Sequence, residues 1–89
     1  MSTISLQITY RKGKPFAGYI YLALKPGAKS ARTEQVGPDL LIDYAADGTP
    51  LGIEVVSPGY VKDAEIVAAF ERLGLEPPPP HELAPLRAA

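Results

Sequence analysis

Alternating apolar and polar residues mark the first two thirds of the chain, and a helical spacing replaces them near its end. Ile4, Leu6, Ile8 and Tyr10 alternate with Ser5, Gln7 and Thr9, the period of a strand with one buried face. A second strand is predicted over residues 17–24, with Ile20, Leu22 and Leu24 on one face and Tyr19 and Tyr21 on the other. Between them, residues 11–16 form a polar turn containing Gly13 and Pro15. Residues 30–36 read as a third strand. Gly37-Pro38 kinks or bulges it, because proline removes a ladder donor, and residues 39–44 resume it.

The densest signal is a hairpin over residues 39–57, two Ile, Val and Leu-rich runs around Asp47-Gly48. Leu40, Ile42 and Tyr44 share a face, as do Leu51, Ile53 and Val55. Matching those faces requires partners whose numbers add to an odd total. A loop of three residues would set the faces out of phase. The expectation is therefore a four-residue loop, 45–48, with Gly48 in the left-handed conformation. This register pairs Ile42 with Leu51 and Leu40 with Ile53. It also sets Asp39 opposite Glu54, and Asp43 opposite Pro50.

After Ser57-Pro58-Gly59, Ile66, Phe70 and Leu73 fall at helical spacing with Val67 beside them. Asp63 is placed to cap this helix, and Gly74 to stop it. The fold class expected is α+β: a four-stranded antiparallel meander with one C-terminal helix packed on one face, followed by a proline-rich tail. Residues 1–75 form the single domain and residues 76–89 a loosely held tail. Ile20, Leu22, Ile42, Ile53 and Phe70 are the predicted core.

Composition narrows the chemistry. Cysteine is absent, which removes disulfides, thiolate metal sites and cysteine nucleophiles, and fits a cytoplasmic location. The N-terminal residues carry neither a basic region nor a long apolar run, unlike a signal peptide, and no stretch approaches the length of a membrane span. Net charge is −1, but residues 1–33 hold Arg11, Lys12, Lys14, Lys25, Lys29 and Arg32 without an acid, while all ten acids follow. Such asymmetry suggests a polyanionic partner.

Tyr10, Tyr19-Ile20-Tyr21-Leu22, Glu34, Leu41-Ile42-Asp43-Tyr44, Asp47-Gly48 and Gly52-Ile53-Glu54 together resemble the domain of unknown function 2283 family of small bacterial proteins. The likeness runs from about Tyr10 to Ser57. This chain has Ala45-Ala46 and Ala17-Gly18 at places where the family is often acidic. The resemblance implies no established activity. It implies at most an antitoxin-type role beside a small toxin-like protein.

Catalytic, cofactor and metal sites find no support in the residues. His81 is the only histidine and lies in the proline-rich tail; no phosphate-binding glycine loop precedes a helix; Asp39 and Glu54 lack a third ligand or a basic partner. The expectation is a non-catalytic interaction module. One helix covers one sheet face, leaving Tyr19, Tyr21, Leu41 and Val56 as a surface for a homodimer or a small protein partner. The competing reading is nucleic-acid binding through the six cations and the tyrosines. Geometry disfavours it, because the second strand separates the two basic groups by ~25 Å. A meander would also bring Asp43 and Asp47 to the Arg11, Lys12 and Lys14 end.

Overall fold

A computed structural model describes residues 4–87 of the chain. Five antiparallel strands form one sheet: β1 (Ser5–Arg11), β2 (Lys14–Tyr21), β3 (Arg32–Gly37), β4 (Leu40–Tyr44) and β5 (Pro50–Val55). Their spatial order is β1-β2-β5-β4-β3. Helix α1 (Asp63–Arg72), a short helix α2 (Pro80–Leu83) and two 3-10 turns, Pro58–Tyr60 and Ala84–Arg87, complete the fold.

The class is α+β, as expected, but the expected four-stranded meander is corrected. Gly37-Pro38 does not kink one long strand. Gly37 pairs with Leu40, so Pro38-Asp39 is a two-residue hairpin turn, with Val36 bulged out of the ladder. Gln35 steadies it by donating to the Gly37 carbonyl at 3.0 Å. Strand β2 then pairs with β5 rather than with β3. Three hairpin-linked strands plus one joined by a long connection make a Greek key, extended by β1. The connection, residues 22–31, leaves β2 at Ala23, whose φ is +58°, and Leu24 points into solvent. It passes the β4–β5 turn, where Lys25 pairs with Asp47.

The β4–β5 register is also corrected. Ile42 faces Ile53 and Leu40 faces Val55, a slide of two residues that leaves these four side chains on their expected face. The loop has three residues, closed by Ala45 N–H donating to Thr49 O at 2.8 Å. Gly48 is left-handed, φ +91°, as predicted. The loss of phase that a three-residue loop imposes is repaired by a bulge: Asp43 faces Gly52 while Tyr44 faces Pro50, so Leu51 is the extra residue. Leu51 is buried, and its carbonyl accepts the Leu22 N–H at 3.0 Å.

Ile20, Leu22, Ile42, Ile53 and Phe70 are all buried, with Leu40, Val55, Val61 and Ile66 beside them. Helix α1 contributes Ile66, Ala69 and Phe70 to this layer. Its N-cap is Lys62 rather than Asp63, and the Lys62 N–H donates to the Glu65 carboxylate at 3.0 Å. The opposite end is tied to the sheet by Glu34, which accepts from Arg72 at 3.1 Å and from the Tyr44 hydroxyl at 3.4 Å. Arg32 lies 4.2 Å over the Tyr44 ring. Burial and the Glu34 carboxylate push the Tyr44 hydroxyl above its ordinary pKa.

The segment read from sequence as a tail carries α2 and the last 3-10 turn, so the expected single helix is not the only one. Leu83 and Leu86 are among the largest fully buried side chains. Leu86 sits on Gly18 so closely that a Cβ there would come within 2.6 Å of its Cδ2. Arg87 donates to the Pro58 carbonyl and to Asp63, both at 2.6 Å. Leu83→Ala should cost about 2–5 kcal/mol, similar to Ile53→Ala. Urea unfolding of both variants checks this; a Leu83→Ala midpoint equal to wild type would show that the segment adds nothing to the core.

Candidate functional site

Helices and 3-10 turns pack on the inner face of the sheet, where Ile20, Ile42, Ile53, Phe70, Leu83 and Leu86 meet. The outer face has no second layer among the described residues. Its paired positions are Ser5, Gln7, Thr9 and Arg11 on β1, Lys14, Ala17, Tyr19 and Tyr21 on β2, Gly52 and Glu54 on β5, Leu41 and Asp43 on β4, and Thr33 and Gln35 on β3. Asp43 and Glu54 are the only acids among these, and Arg11 and Lys14 lie at the far end, by the β1–β2 turn.

Tyr19 faces Glu54 across the ladder, while Gly52 faces Tyr21 on one side and Asp43 on the other. The Tyr19 ring runs diagonally over Gly52. A Cβ at that position would overlap the ring and hydroxyl of Tyr19, so glycine is the only residue that lets the phenol cross β5. The Tyr19 hydroxyl lies within reach of the Asp43 carboxylate on β4. Thr33 Oγ1 donates to Asp43 Oδ1 at 2.7 Å from β3. Tyr19, Asp43 and Thr33 thus line up across β2, β5, β4 and β3. Burial, then the Asp43 carboxylate, then Glu54, push the Tyr19 hydroxyl up to about 12. Beside it, Gln7, Thr9, Ala17 and Glu54 border a shallow depression of about 180 Å³.

Of the residues expected to form an interaction surface, Tyr19, Tyr21 and Leu41 lie together on this face, half-buried. Val56 stands just past the end of β5, exposed, its N–H donating to the Asp39 carbonyl at 2.9 Å. The expected Asp39–Glu54 pair does not form across the ladder: Glu54 faces Leu41, and Asp39 lies in the β3–β4 turn. Asp43 faces Gly52, not Pro50. Sequence reasoning missed the Tyr19–Gly52–Asp43 arrangement. The available signal was a glycine inside a strand, which marks a close approach of something to the backbone.

The cations lie apart, as the strand length implies. Arg11, Lys12 and Lys14 occupy the β1–β2 hairpin, whose tip is a tight turn with Lys12 and Gly13 at φ +54° and +78°. Arg11 lies 5.5 Å over Phe16. Lys25 and Arg32 are at the other end of the sheet, paired with Asp47 and Glu34, and Lys29 lies in the same connection. The expected neutralisation is thus corrected. The Greek key places Asp47 beside Lys25, not beside Arg11, Lys12 and Lys14. Lys25 and the Thr49 N–H hold the Asp47 carboxyl well below the usual carboxylate range.

Among the described residues no charged side chain is buried, and no three His, Cys, Asp or Glu side chains gather as metal ligands. No helix of the described residues is long and apolar enough to cross a membrane.

Gly52→Ala should cost about 1–3 kcal/mol by displacing Tyr19, and much less in a Tyr19→Ala background. A double-mutant cycle by urea unfolding reads this coupling; additive costs would show that ring and glycine are independent. The Tyr19 hydroxyl gives a second check. Its folded pKa lies above the unfolded value, so its contribution to stability is complete below about pH 10 and is lost as pH rises towards 12. Ultraviolet titration of tyrosinate should show late-ionising phenols, of which Tyr19→Phe removes one and leaves that of Tyr44. An unchanged high-pH limb would refute the assignment.

None of the curated proteins and none of the solved structures matches this chain. A family model does match, over residues 17–57, which contain β2 from Ala17 onward, β3 to β5, and Tyr19, Gly52, Asp43 and Thr33, but exclude β1 and the helices. Over that segment, a little under half of the chain, the sequence is similar to the family described as protein of unknown function (DUF2283).

Proposed function

We propose that this protein is a non-catalytic module that binds a small protein partner on the open face of its sheet. The observation that carries this reading is the Tyr19 ring, laid across Gly52 with its hydroxyl beside Asp43. A tyrosine already held in place adds contact area while losing little further side-chain freedom on binding. Leu41, Tyr21 and the depression beside Glu54 supply adjacent apolar surface. The carboxylates of Asp43 and Glu54 favour a partner with a basic surface, and charge of this kind sets association rate and choice of partner. A basic toxin-like protein, the class implied by the family resemblance, has the right sign.

Enzymatic function has less support. The raised pKa of Tyr19 moves it away from proton transfer near neutral pH. Nucleic-acid binding is opposed by the same two carboxylates, which stand among the tyrosines on which bases would stack. The unpaired cations of the β1–β2 hairpin lie at the end of the sheet, away from its centre.

Capture from an extract of the source cell, read by mass spectrometry, tests the reading. Wild type and a Lys12→Glu/Lys14→Glu variant should retain the same protein, and a Tyr21→Lys/Leu41→Lys variant should lose it. Retention by the last variant would remove the open face from the function. Sub-micromolar binding to mixed-sequence RNA or DNA at physiological salt in a mobility-shift titration would favour the nucleic-acid reading instead.

A further inference from the structure

The two edges of the sheet differ in chemistry. Strand β3 is defended: Arg32 and Glu34 lie within it, Val36 is bulged and Pro38 follows directly. Arg72 of α1 also reaches across to Glu34. Charges, bulges and prolines of this kind discourage pairing with another chain. Strand β1, Ser-Leu-Gln-Ile-Thr-Tyr-Arg, has none of them before its last residue. The irregularity between β1 and β2 leaves Phe16, on β2, as the extra residue, so β1 itself runs unbroken. On its inner side Leu6 and Ile8 are only partly buried, and Tyr10 is 54% exposed. Beside Leu6 the cover is incomplete, leaving a groove of about 310 Å³ lined in part by Ile20, Leu83 and Pro85.

We infer that β1 pairs antiparallel with β1 of a second copy of this chain, joining two sheets into one about a two-fold axis at Ile8. A residue-centred two-fold pairs positions of the same parity, so both inner faces stay on one side. Pairing the whole strand Ser5–Arg11 sets Ile8 opposite its own copy and Leu6 opposite Tyr10, burying the half-covered apolar positions against each other. Gln7 meets Thr9 on the outer side. Ser5 meets Arg11, so the only charged residue of the strand never opposes itself. Strand pairing also satisfies the backbone groups of the free edge. The closed C2 contact leaves β3 as both outer edges of the assembly, and these carry the charges and bulge that stop further growth.

The contact is separate from the partner surface proposed above, and the test keeps them apart. Light scattering over a hundredfold concentration range should give twice the chain mass of 9.5 kDa, falling towards one chain on dilution. Gln7→Lys/Thr9→Lys, at two exposed positions, places lysines opposite each other twice and should raise the dissociation midpoint roughly tenfold. Gln7→Glu/Thr9→Glu should do the same. An equimolar mixture of the two variants should restore the two-chain mass, because each lysine then faces a glutamate. Tyr21→Lys/Leu41→Lys should leave the mass curve unchanged. A one-chain mass for wild type at every concentration overturns the inference. So does a charge variant that associates like wild type, or a mixture that gives no rescue.

Discussion

The row Ile20–Ile53–Ile42 is the constraint on which the rest of the structure depends. These residues come from β2, β5 and β4, pair directly across two ladders, and are all essentially inaccessible to solvent. Each lies over the same inner layer as Ile66, Phe70 and Leu83. An 89-residue chain has little apolar surface to spare, so its helical segments must cover this row. That fixes which face is closed. The other face is left to Tyr19, Tyr21, Leu41 and the two carboxylates, so the candidate binding surface is a by-product of where the isoleucines point.

Parity was legible in the sequence and order was not. Alternation assigns Leu40, Ile42, Leu51 and Ile53 to one face, and all four are buried. Parity, however, is blind to a slide of two residues, and it cannot see a bulge. The hairpin has both, because a three-residue loop and the extra Leu51 together conserve the phase that either alone would invert. Strand order failed for a different reason. Whether β2 joins β3 or β5 depends on contacts between segments some thirty residues apart, and no local pattern encodes them. Gly37-Pro38-Asp39 is equally compatible with a kink and a hairpin until a partner for β3 is known.

The closing segment was hidden by its prolines. Pro77 to Pro80 mask the spacing of Leu83 and Leu86, which are only three residues apart and belong to two different short helical elements. Of the site, the grouping of Tyr19, Tyr21 and Leu41 on one face followed from alternation alone. The role of Gly52 did not, because a missing Cβ explains itself only when the ring that occupies its place is seen.

The central position of β5 has a consequence for how the chain is made. Two hairpins, β1–β2 and β3–β4, are each local in sequence and can close early, on the microsecond scale of such turns. They share no ladder with one another. Each waits with an apolar face and an open edge until the last strand arrives to bridge them, a late non-local step of the kind that slows folding and exposes intermediates. During synthesis, the interval between the emergence of Tyr44 and that of Val55 is therefore when this protein is most open to wrong partners.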